Sequence, residues 1–366
     1  MDDAEIRISS ELADLPQHTT SDTRENSRVF VYNPPDMRKF ILILLTFLVA
    51  GVVFLSFGEL ESIVRTLRHG NFWFLLLALF IQSGWFLVSG STYLSLYRLL
   101  HMDGTLYKLT LLSAAANFVS TVAPSAGMGG VVVFFSDASR NGQSPGKITV
   151  ISVLYVFLDY IAFLFVLALG LIVLFRRNDL GPSEIAASAV IFGIACALGS
   201  LLYLGSRSAT ALGNALAWMA RLVNRVVRPF LHHDYLSEAR AHEFAHEMAA
   251  DLKSLPERPR SLIKPMLLAF ANKALMMCVL VASFLAFQVP FSIETIIGGF
   301  AISYLFLIVS PTPSGIGIVE GIMPLALSSL RVEWSEAVVI TLAYRAVTFW
   351  FPLGIGAWAF RRLHLQ

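Results

Sequence analysis

The chain has 366 residues, of which 56% are hydrophobic and only 14% are charged. Soluble domains carry about a quarter charged residues, so this composition excludes an ordinary soluble protein. The 27 Lys and Arg residues against 25 Asp and Glu leave a net charge of +2, too small for a nucleic-acid-binding surface. Two cysteines, both in apolar runs, cannot build a disulfide framework or a zinc ribbon. The composition indicates an all-α, polytopic membrane protein without a nucleic-acid partner.

The chain begins with a polar tail, residues 1–38, that carries eight acidic residues against four arginines. Low hydrophobicity and excess negative charge predict that this tail is disordered. Beyond it, about six segments are long and apolar enough to cross a bilayer, which takes roughly 20 residues. These predicted spans are Phe40–Phe57, Phe72–Tyr97, Ile148–Phe175, Ile185–Leu204, Leu262–Phe287 and Ala337–Phe360.

Two further apolar regions, Leu106–Phe135 and Ile293–Leu330, are interrupted by proline and several glycines, at residues 122–130 and 310–317. Proline and glycine do not easily continue a helix, so each region predicts a re-entrant helical hairpin or a broken helix buried by protein. Half-helix N-termini present N–H groups to phosphate, and glycine lets a ligand approach the backbone. The break residues expected to line a cavity are Pro124, Gly127, Gly129, Gly130, Pro313, Gly315 and Gly317. The alternative is that the glycines only permit tight turns and helix crossing.

Lysine and arginine are concentrated in a few loops. These loops lie on one side of the membrane if the six spans cross it and the two hairpins do not. The positive-inside rule makes that side the cytoplasm and places both termini there. The predicted organisation is a cytoplasmic tail at 1–38, a membrane repeat with a linking span at 39–204, a cytoplasmic amphipathic helical loop at 205–261 and a second membrane repeat at 262–362. Two groups break the bias, namely Arg65 with Arg68 and the pair Arg176-Arg177.

An internal repeat is visible at an offset of 186 residues. It pairs span with span and hairpin with hairpin, and it aligns Gly170 with Gly356 and Gly129 with Gly315. On this pairing the two hairpins enter from opposite sides, so the halves are inverted repeats. Many transporters have this architecture, and they bind substrate at discontinuous helices near the bilayer midplane.

The same offset aligns Asp159 with Arg345, and each is the only charge in its predicted span. A charge at the bilayer centre costs about 2.5–3.5 kcal/mol on insertion scales, so such residues usually pair or line a wet cavity. Two interpretations stay open: a polar cavity that contacts a charged headgroup or a proton, and a structural ion pair that locks the two repeats. Glu320, just inside the second arm of the second hairpin, could cap that helix or meet a cation. Lys273, well inside its span, is a weaker candidate.

The loop between the repeats contains an HExxH sequence. On a helix this spacing puts two histidines on one face for zinc, with the glutamate as general base. The residues are His242, Glu243 and His246. Downstream, only Asp251 and Glu257 offer a third ligand, too near in sequence for a zincin arrangement. An HExxH membrane metalloprotease is therefore an alternative, and the sequence predicts neither a bound metal nor a cofactor.

The helical stretch Tyr235–Leu255 that carries this motif also has an apolar stripe. The stripe consists of Phe244, Met248, Leu252 and Leu255. Such a stripe favours an amphipathic helix that lies in the membrane interface.

The two hairpin motifs resemble the membrane domain of lysylphosphatidylglycerol synthases/flippases. In the first half the resemblance is carried by Ala123-Pro-Ser-Ala-Gly-Met-Gly-Gly130, and in the second by Pro311-Thr-Pro-Ser-Gly-Ile-Gly-Ile-Val-Glu-Gly321 followed by Ala343-Tyr344-Arg345. It covers about residues 36–362. The chain differs from many members where Tyr155-Val156 replaces a Glu-Arg pair before Asp159.

In this family the membrane domain is associated with moving aminoacylated phospholipids between leaflets. The resemblance implies a stand-alone, flippase-like member that lacks the aminoacyl-transferase domain, and so a transporter rather than an enzyme. We therefore expect translocation of a phospholipid or lipid-linked headgroup across the inner membrane, with Asp159, Arg345, Glu320, Tyr344 and the glycine breaks around its path. The alternative from another class is a non-catalytic scaffold that partners a lipid-modifying or glycosyltransferase enzyme.

Overall fold

The computed structural model describes residues 66–122, 129–177, 181–231, 237–253, 259–310 and 312–363. Every secondary-structure element in these ranges is a helix. Five helices are long and apolar enough to cross a membrane: Phe72–Leu99, Pro145–Arg177, Pro182–Arg207, Arg260–Ala286 and Trp334–Arg362. The prediction of an all-α, multi-pass membrane protein is confirmed. The tail at 1–38 and the span predicted at 40–57 lie outside the described residues.

The first half of the described chain contains helices α1 to α5. Their bounds are α1 Phe72–Leu99, α2 Leu106–Val122, α3 Gly129–Arg140, α4 Pro145–Arg177 and α5 Pro182–Arg207. Two helices of the central loop follow, α6 Ala209–Leu231 and α7 Glu238–Lys253.

A short 3₁₀ turn at Pro259–Leu262 leads into the second half. Its helices are α8 Ile263–Ala286, α9 Ile293–Val309, α10 Ile318–Ser329, α11 Trp334–Arg345 and α12 Phe351–Arg362. A 3₁₀ turn at Pro313–Gly315 separates α9 from α10, and one π-helical turn at Ala346–Trp350 joins α11 to α12.

The first hairpin consists of α2 and α3. At its base, Lys108 and Asp137 form a salt bridge of 2.9 Å. Near its tip, the Gly130 N–H donates to the Ser120 hydroxyl at 2.8 Å. A β-carbon on Gly130 would stand 3.0 Å from the Ala116 carbonyl, so glycine is what lets the two arms approach this closely.

The second hairpin consists of α9 and α10, and the two arms again run back along each other. At its base, Gly299 faces Leu327, and near its tip Gly315 faces Leu307. The arms have 17 and 12 residues, so at about 1.5 Å per residue neither crosses a hydrocarbon core of about 30 Å. The prediction of two helical hairpins is confirmed in the described residues.

Helices α1 and α8, which correspond under the 186-residue offset, pack against each other in antiparallel directions. At the start of α1, the Asn71 N–H donates to the Ala286 carbonyl at the end of α8, at 2.7 Å. Midway along, the Trp85 indole N–H donates to the Asn272 side-chain oxygen at 2.8 Å.

The contacts of the remaining helices repeat with nearly the same offset. Gly170 of α4 lies against Ala301 of α9, and Gly356 of α12 lies against Ala114 of α2. In each contact, the membrane span that follows one hairpin therefore packs on the first arm of the other hairpin. The glycine pair that the sequence aligned thus occupies equivalent positions in two equivalent contacts.

The two hairpins open at opposite ends of the long helix α4. Beside the base of the first hairpin, Lys147 near the start of α4 donates to the Leu100 carbonyl at 3.1 Å. At the other end of α4, Arg177 forms an ion pair of 2.6 Å with Glu294, at the base of the second hairpin. The two tips therefore point toward each other from opposite directions.

Helix α7 turns its apolar stripe toward the protein, and its opposite face, with Glu243, His246 and Glu247, is exposed. Phe244 packs against the main core, and Met248 and Leu252 are each 4% exposed in that core. The prediction that this stripe faces the membrane interface is wrong for these three residues, because they pack against protein instead, and Leu255 lies outside the described residues. Burial raises the pKa of Asp251 on the same helix, an effect that the positive charge of Lys147 opposes.

Candidate functional site

The tip of the second hairpin holds an ion pair between Glu320 and Arg345. The Arg345 Nε donates to Glu320 Oε1, and Nη2 donates to the Ser314 carbonyl at 3.3 Å. The guanidinium also stacks 4.6 Å above the Phe349 ring. The other carboxylate oxygen of Glu320 accepts the Gly317 N–H at 2.8 Å. Glu320 therefore caps the N-terminus of α10 and neutralises a cation at the same time.

The backbone of this tip depends on residues in the left-handed region. Ser314, Gly315 and Gly317 have φ values of 49°, 69° and 78°. Such values favour glycine, and they reverse the chain within a few residues. A hydrogen bond of 2.9 Å from the Thr312 hydroxyl to the Ile316 carbonyl closes the turn. At Gly317 no atom lies within 4 Å of the β-carbon position, so the backbone there is open to an approaching group.

The two hairpins meet at a hydrogen bond between their tips. The Ser314 hydroxyl donates to the Thr121 hydroxyl at 3.1 Å. Thr121 is the penultimate residue of α2, and Ser314 belongs to the turn before α10. Ser314 thus contacts Arg345 through its carbonyl and the other hairpin through its side chain.

A second ion pair lies between Asp159 of α4 and Lys273 of α8. The Lys273 Nζ contacts both carboxylate oxygens at 2.8 Å. It also donates to the Tyr304 hydroxyl at 2.7 Å, and it lies 4.2 Å from the centre of that ring. Tyr304 belongs to the first arm of the second hairpin. This pair therefore joins both halves of the molecule to that arm.

A polar chain continues from this pair toward α1. Tyr155, one turn before Asp159, stacks on Tyr93 of α1 with ring centres 4.2 Å apart. On α1, Ser89 accepts from the Asn272 amide at 2.9 Å, and Asn272 accepts from Trp85. Buried polar groups in a membrane need such partners, since no bulk water is available to satisfy them.

Asp159 and Arg345 are each the only charge in a predicted span. They are bound to different partners and not to each other. The interpretation that these two form one ion pair is therefore wrong. The Asp159–Lys273 pair does join the two halves of the described chain, whereas Glu320 and Arg345 both belong to the second half.

Both pairs share one pattern of burial. The side chains of Lys273 and Arg345 are 1% and 4% exposed, whereas those of Asp159 and Glu320 are 20% and 14% exposed. In each pair the cation is enclosed and the carboxylate reaches an accessible surface.

The other predicted site residues lie in the turn of the second hairpin, in α11 and at the start of α3. Pro313 and Gly315 form the turn that carries Ser314. Tyr344 is buried in an apolar cluster against which the partly buried Tyr304 packs. Gly129 begins α3, whereas Pro124 and Gly127 lie outside the described residues.

The HExxH residues lie on α7, away from the hairpin tips. A β-carbon on Gly213 of α6 would stand 2.3 Å from the His242 Nδ1, so His242 packs closely against that helix. Among the described residues, no group of three His, Cys, Asp or Glu side chains is placed to hold a metal ion. The metalloprotease alternative therefore lacks a third ligand in this part of the chain.

The chain that carries these broken hairpins and buried ion pairs matches the model of one protein family. The family model described as lysylphosphatidylglycerol synthase TM region matches residues 40–356. The chain belongs to this family. A search of curated proteins gives no match. Membership in the lysylphosphatidylglycerol synthase transmembrane family, together with the five apolar helices, makes the chain a multi-pass protein with a lipid-related membrane role.

Sequence reasoning missed two parts of this site. Tyr304 was not singled out because an aromatic residue in an apolar run has no distinguishing pattern. The π-helical turn at Ala346–Trp350 has no known sequence signal, although its position directly after Arg345 is typical of functional sites. Lys273 did carry a signal, as a charge well inside an apolar span.

Proposed function

We propose that the protein translocates the headgroup of a phospholipid or lipid-linked molecule across the inner membrane, in the manner of a flippase. One observation carries this proposal: the tips of two hairpins meet at Ser314, which also binds the buried guanidinium of Arg345. Irregular backbone at membrane depth is tolerated where it lines a cavity or is buried in protein. A cation enclosed at such a break is suited to a phosphate group.

The repeated contacts support an inverted arrangement of the two halves about the membrane plane. Helices α1 and α8 are antiparallel, and the hairpins open at opposite ends of α4. Transporters built in this way alternate access by moving one repeat against the other around a fixed central site. The contact between Ser314 and Thr121 is the part that such a movement would open.

The distribution of basic residues supports a cytoplasmic location for the end of the bundle at the base of the first hairpin. Lys108, Lys147 and Arg362 gather there, with Arg362 5.8 Å from the centre of the Tyr107 ring. By the positive-inside rule this end faces the cytoplasm, and so does the C-terminus that follows Arg362. The N-terminal tail is assigned to the same side, because the predicted span at 40–57 and α1 together cross the membrane twice before the chain reaches this end of the bundle.

The burial pattern suggests how a headgroup would be received. When the site is empty, each enclosed cation is neutralised by its carboxylate, so no uncompensated charge remains in the membrane. An entering phosphate would replace Glu320 on the guanidinium of Arg345. An amine on the headgroup would meet the displaced carboxylate, and the acyl chains would stay in the bilayer. The exchange keeps the charges paired at each stage.

A leaflet assay in liposomes tests the proposal. The reconstituted protein should carry a fluorescent anionic phospholipid from the inner to the outer leaflet, where a membrane-impermeant quencher destroys the signal. Arg345→Ala should lower the rate to that of protein-free liposomes. Arg177→Gln is the matched control, because it removes a partly exposed arginine–glutamate pair far from the tips, and it should leave the rate near wild type. Equal rates for wild type and Arg345→Ala would refute the proposal for anionic phospholipids.

The alternative function is a scaffold for a lipid-modifying or glycosyltransferase enzyme. It is favoured by the outer face of α6, where Trp218, Met219 and Leu222 are 59%, 43% and 47% exposed. A scaffold should lose its partner when Trp218 and Leu222 are both replaced by serine and should tolerate Arg345→Ala. A translocator should show the opposite pattern.

A further inference from the structure

One arginine at the end of the bundle opposite Lys147 has no partner in the described part of the chain. The sequence contains two groups of basic residues that break the positive-inside bias, and the structure explains one of them, since Arg177 is neutralised by Glu294. Arg68 precedes α1 at the same end and is exposed. It forms no hydrogen bond or ion pair with any residue in the described ranges.

Arg68 lies at the rim of an apolar groove of about 390 Å³. The groove runs between the first two turns of α1 and the π-helical turn that follows Arg345. Its lining is formed by Leu67, Arg68, Phe72, Leu75, Leu76, Leu79, Ala346 and Val347. All of these side chains are apolar except that of Arg68.

The groove is open at the outer surface of the helix bundle. Phe72 is 64% exposed and Leu76 is 39% exposed. From Phe72 to Leu79 the helix advances about 10 Å, which is most of one leaflet of a hydrocarbon core about 30 Å thick. An apolar groove of this length can hold one acyl chain. The cation at its outer end is placed to bind one anionic headgroup.

We propose that this groove binds an anionic glycerophospholipid, with the phosphate at Arg68 and one acyl chain along Leu75 and Leu79. The inference rests on the proposed translocation, for which this groove is the docking site in the leaflet away from the cytoplasm. Its far wall, Ala346 and Val347, follows directly after Arg345 in the chain. A lipid seated here therefore touches the segment that carries the central guanidinium.

Photocrosslinking in the intact protein tests this site directly. The photoreactive residue p-benzoylphenylalanine replaces Leu76 inside the groove or, as a control, Leu77, which is 42% exposed but does not line it. The protein is reconstituted in nanodiscs with equal amounts of phosphatidylglycerol and phosphatidylcholine. After irradiation, mass spectrometry measures the ratio of the two lipid adducts.

At position 76, phosphatidylglycerol adducts should exceed phosphatidylcholine adducts about tenfold, the effect of one charge-assisted hydrogen bond. At position 77 the ratio should follow the bilayer composition. Arg68→Gln should lower the ratio at position 76 to that value. Arg331→Gln, which removes another exposed arginine at the same end, should not.

Three outcomes would overturn the proposal: equal adducts at position 76, an equal effect of the two arginine substitutions, or crosslinks to residues 40–57 in place of lipid. The leaflet assay on the wild-type protein separates the two proposals. If the wild type does not translocate lipid but the Arg68-dependent ratio persists, the lipid site stands and the translocation proposal fails. If translocation is intact but the ratio does not depend on Arg68, only the lipid site fails.

Discussion

The Ser314 hydroxyl donates a hydrogen bond of 3.1 Å to the Thr121 hydroxyl, and this bond joins two hairpins that enter the bundle from opposite ends. The carbonyl of Ser314 accepts from Arg345. One residue thus connects the meeting point of the hairpins to the buried ion pair. Any separation of the tips would change the surroundings of the guanidinium.

The Asp159–Lys273 pair should contribute strongly to stability. Asp159→Asn leaves the enclosed Lys273 without its carboxylate and should lower the free energy of unfolding by about 3–5 kcal/mol. Lys273→Met should cost less, because the carboxylate that remains is 20% exposed. The double substitution should be more stable than Asp159→Asn alone. Unfolding in detergent micelles, followed by circular dichroism, measures these differences.

The Lys108–Asp137 pair is the matched control, since it has the same residue types but 37% of the lysine side chain is exposed. Asp137→Asn should cost less than about 1 kcal/mol. An equal cost at Asp137 and Asp159 would show that the central pair contributes no more than a surface pair.

Gly356 and Gly354 lie on the same helix, and alanine should have opposite effects at the two positions. At Gly356 a β-carbon would stand 2.6 Å from the Ala114 carbonyl and 2.7 Å from the Phe118 β-carbon. Neither atom can move away alone, so Gly356→Ala should destabilise by about 1–3 kcal/mol. At Gly354 nothing lies within 4 Å, and alanine should stabilise by up to about 1 kcal/mol through helix propensity. Thermal unfolding compares the two, and a neutral Gly356→Ala would contradict the repeated close contact.

The Arg177–Glu294 pair should contribute little to the stability of the fold, and it should contribute only at pH values above the acidic range. Hydrogen bonds from Arg177 and its positive charge lower the pKa of Glu294. A lowered carboxyl pKa contributes stability that is fully present above the ordinary glutamate value of about 4.3 and is lost as the pH falls through the lowered pKa. The difference in unfolding midpoint between wild type and Glu294→Gln should therefore be small at pH 7 and vanish in acid. A difference that grows as the pH falls would contradict this assignment.

The spans and hairpins were predictable because length and apolar composition determine which segments cross a bilayer. Pro182–Arg207, for example, contains the predicted span 185–204 with a few residues added at each end. The 186-residue offset was also visible, and it aligned Gly170 with Gly356 before their contacts were known. These features depend on local sequence and on simple spacing.

The ion-pair partners were not predictable, because they depend on how helices far apart in sequence pack. Asp159 and Lys273 are 114 residues apart, and nothing local to either residue identifies the other. The capping role of Glu320 was predictable, since it stands in the first turn after a glycine break. The face of α7 shows a different limit. An apolar stripe identifies a buried side but does not distinguish burial in protein from burial in lipid.

The most direct test of the account is a reversible lock between the hairpin tips. Cysteines replace Thr121 and Ser314 in a chain whose two free cysteines, Cys196 and Cys278, have been replaced by alanine. Oxidation joins the tips, mass spectrometry confirms complete crosslinking, and the leaflet assay is repeated before and after reduction. A cysteine pair at Lys108 and Asp137, confined to the base of the first hairpin, is the control. We predict that oxidation of the tip pair lowers translocation to the protein-free rate, that reduction restores it, and that the control pair has no effect. Equal translocation with the tips joined and separated would contradict the central claim.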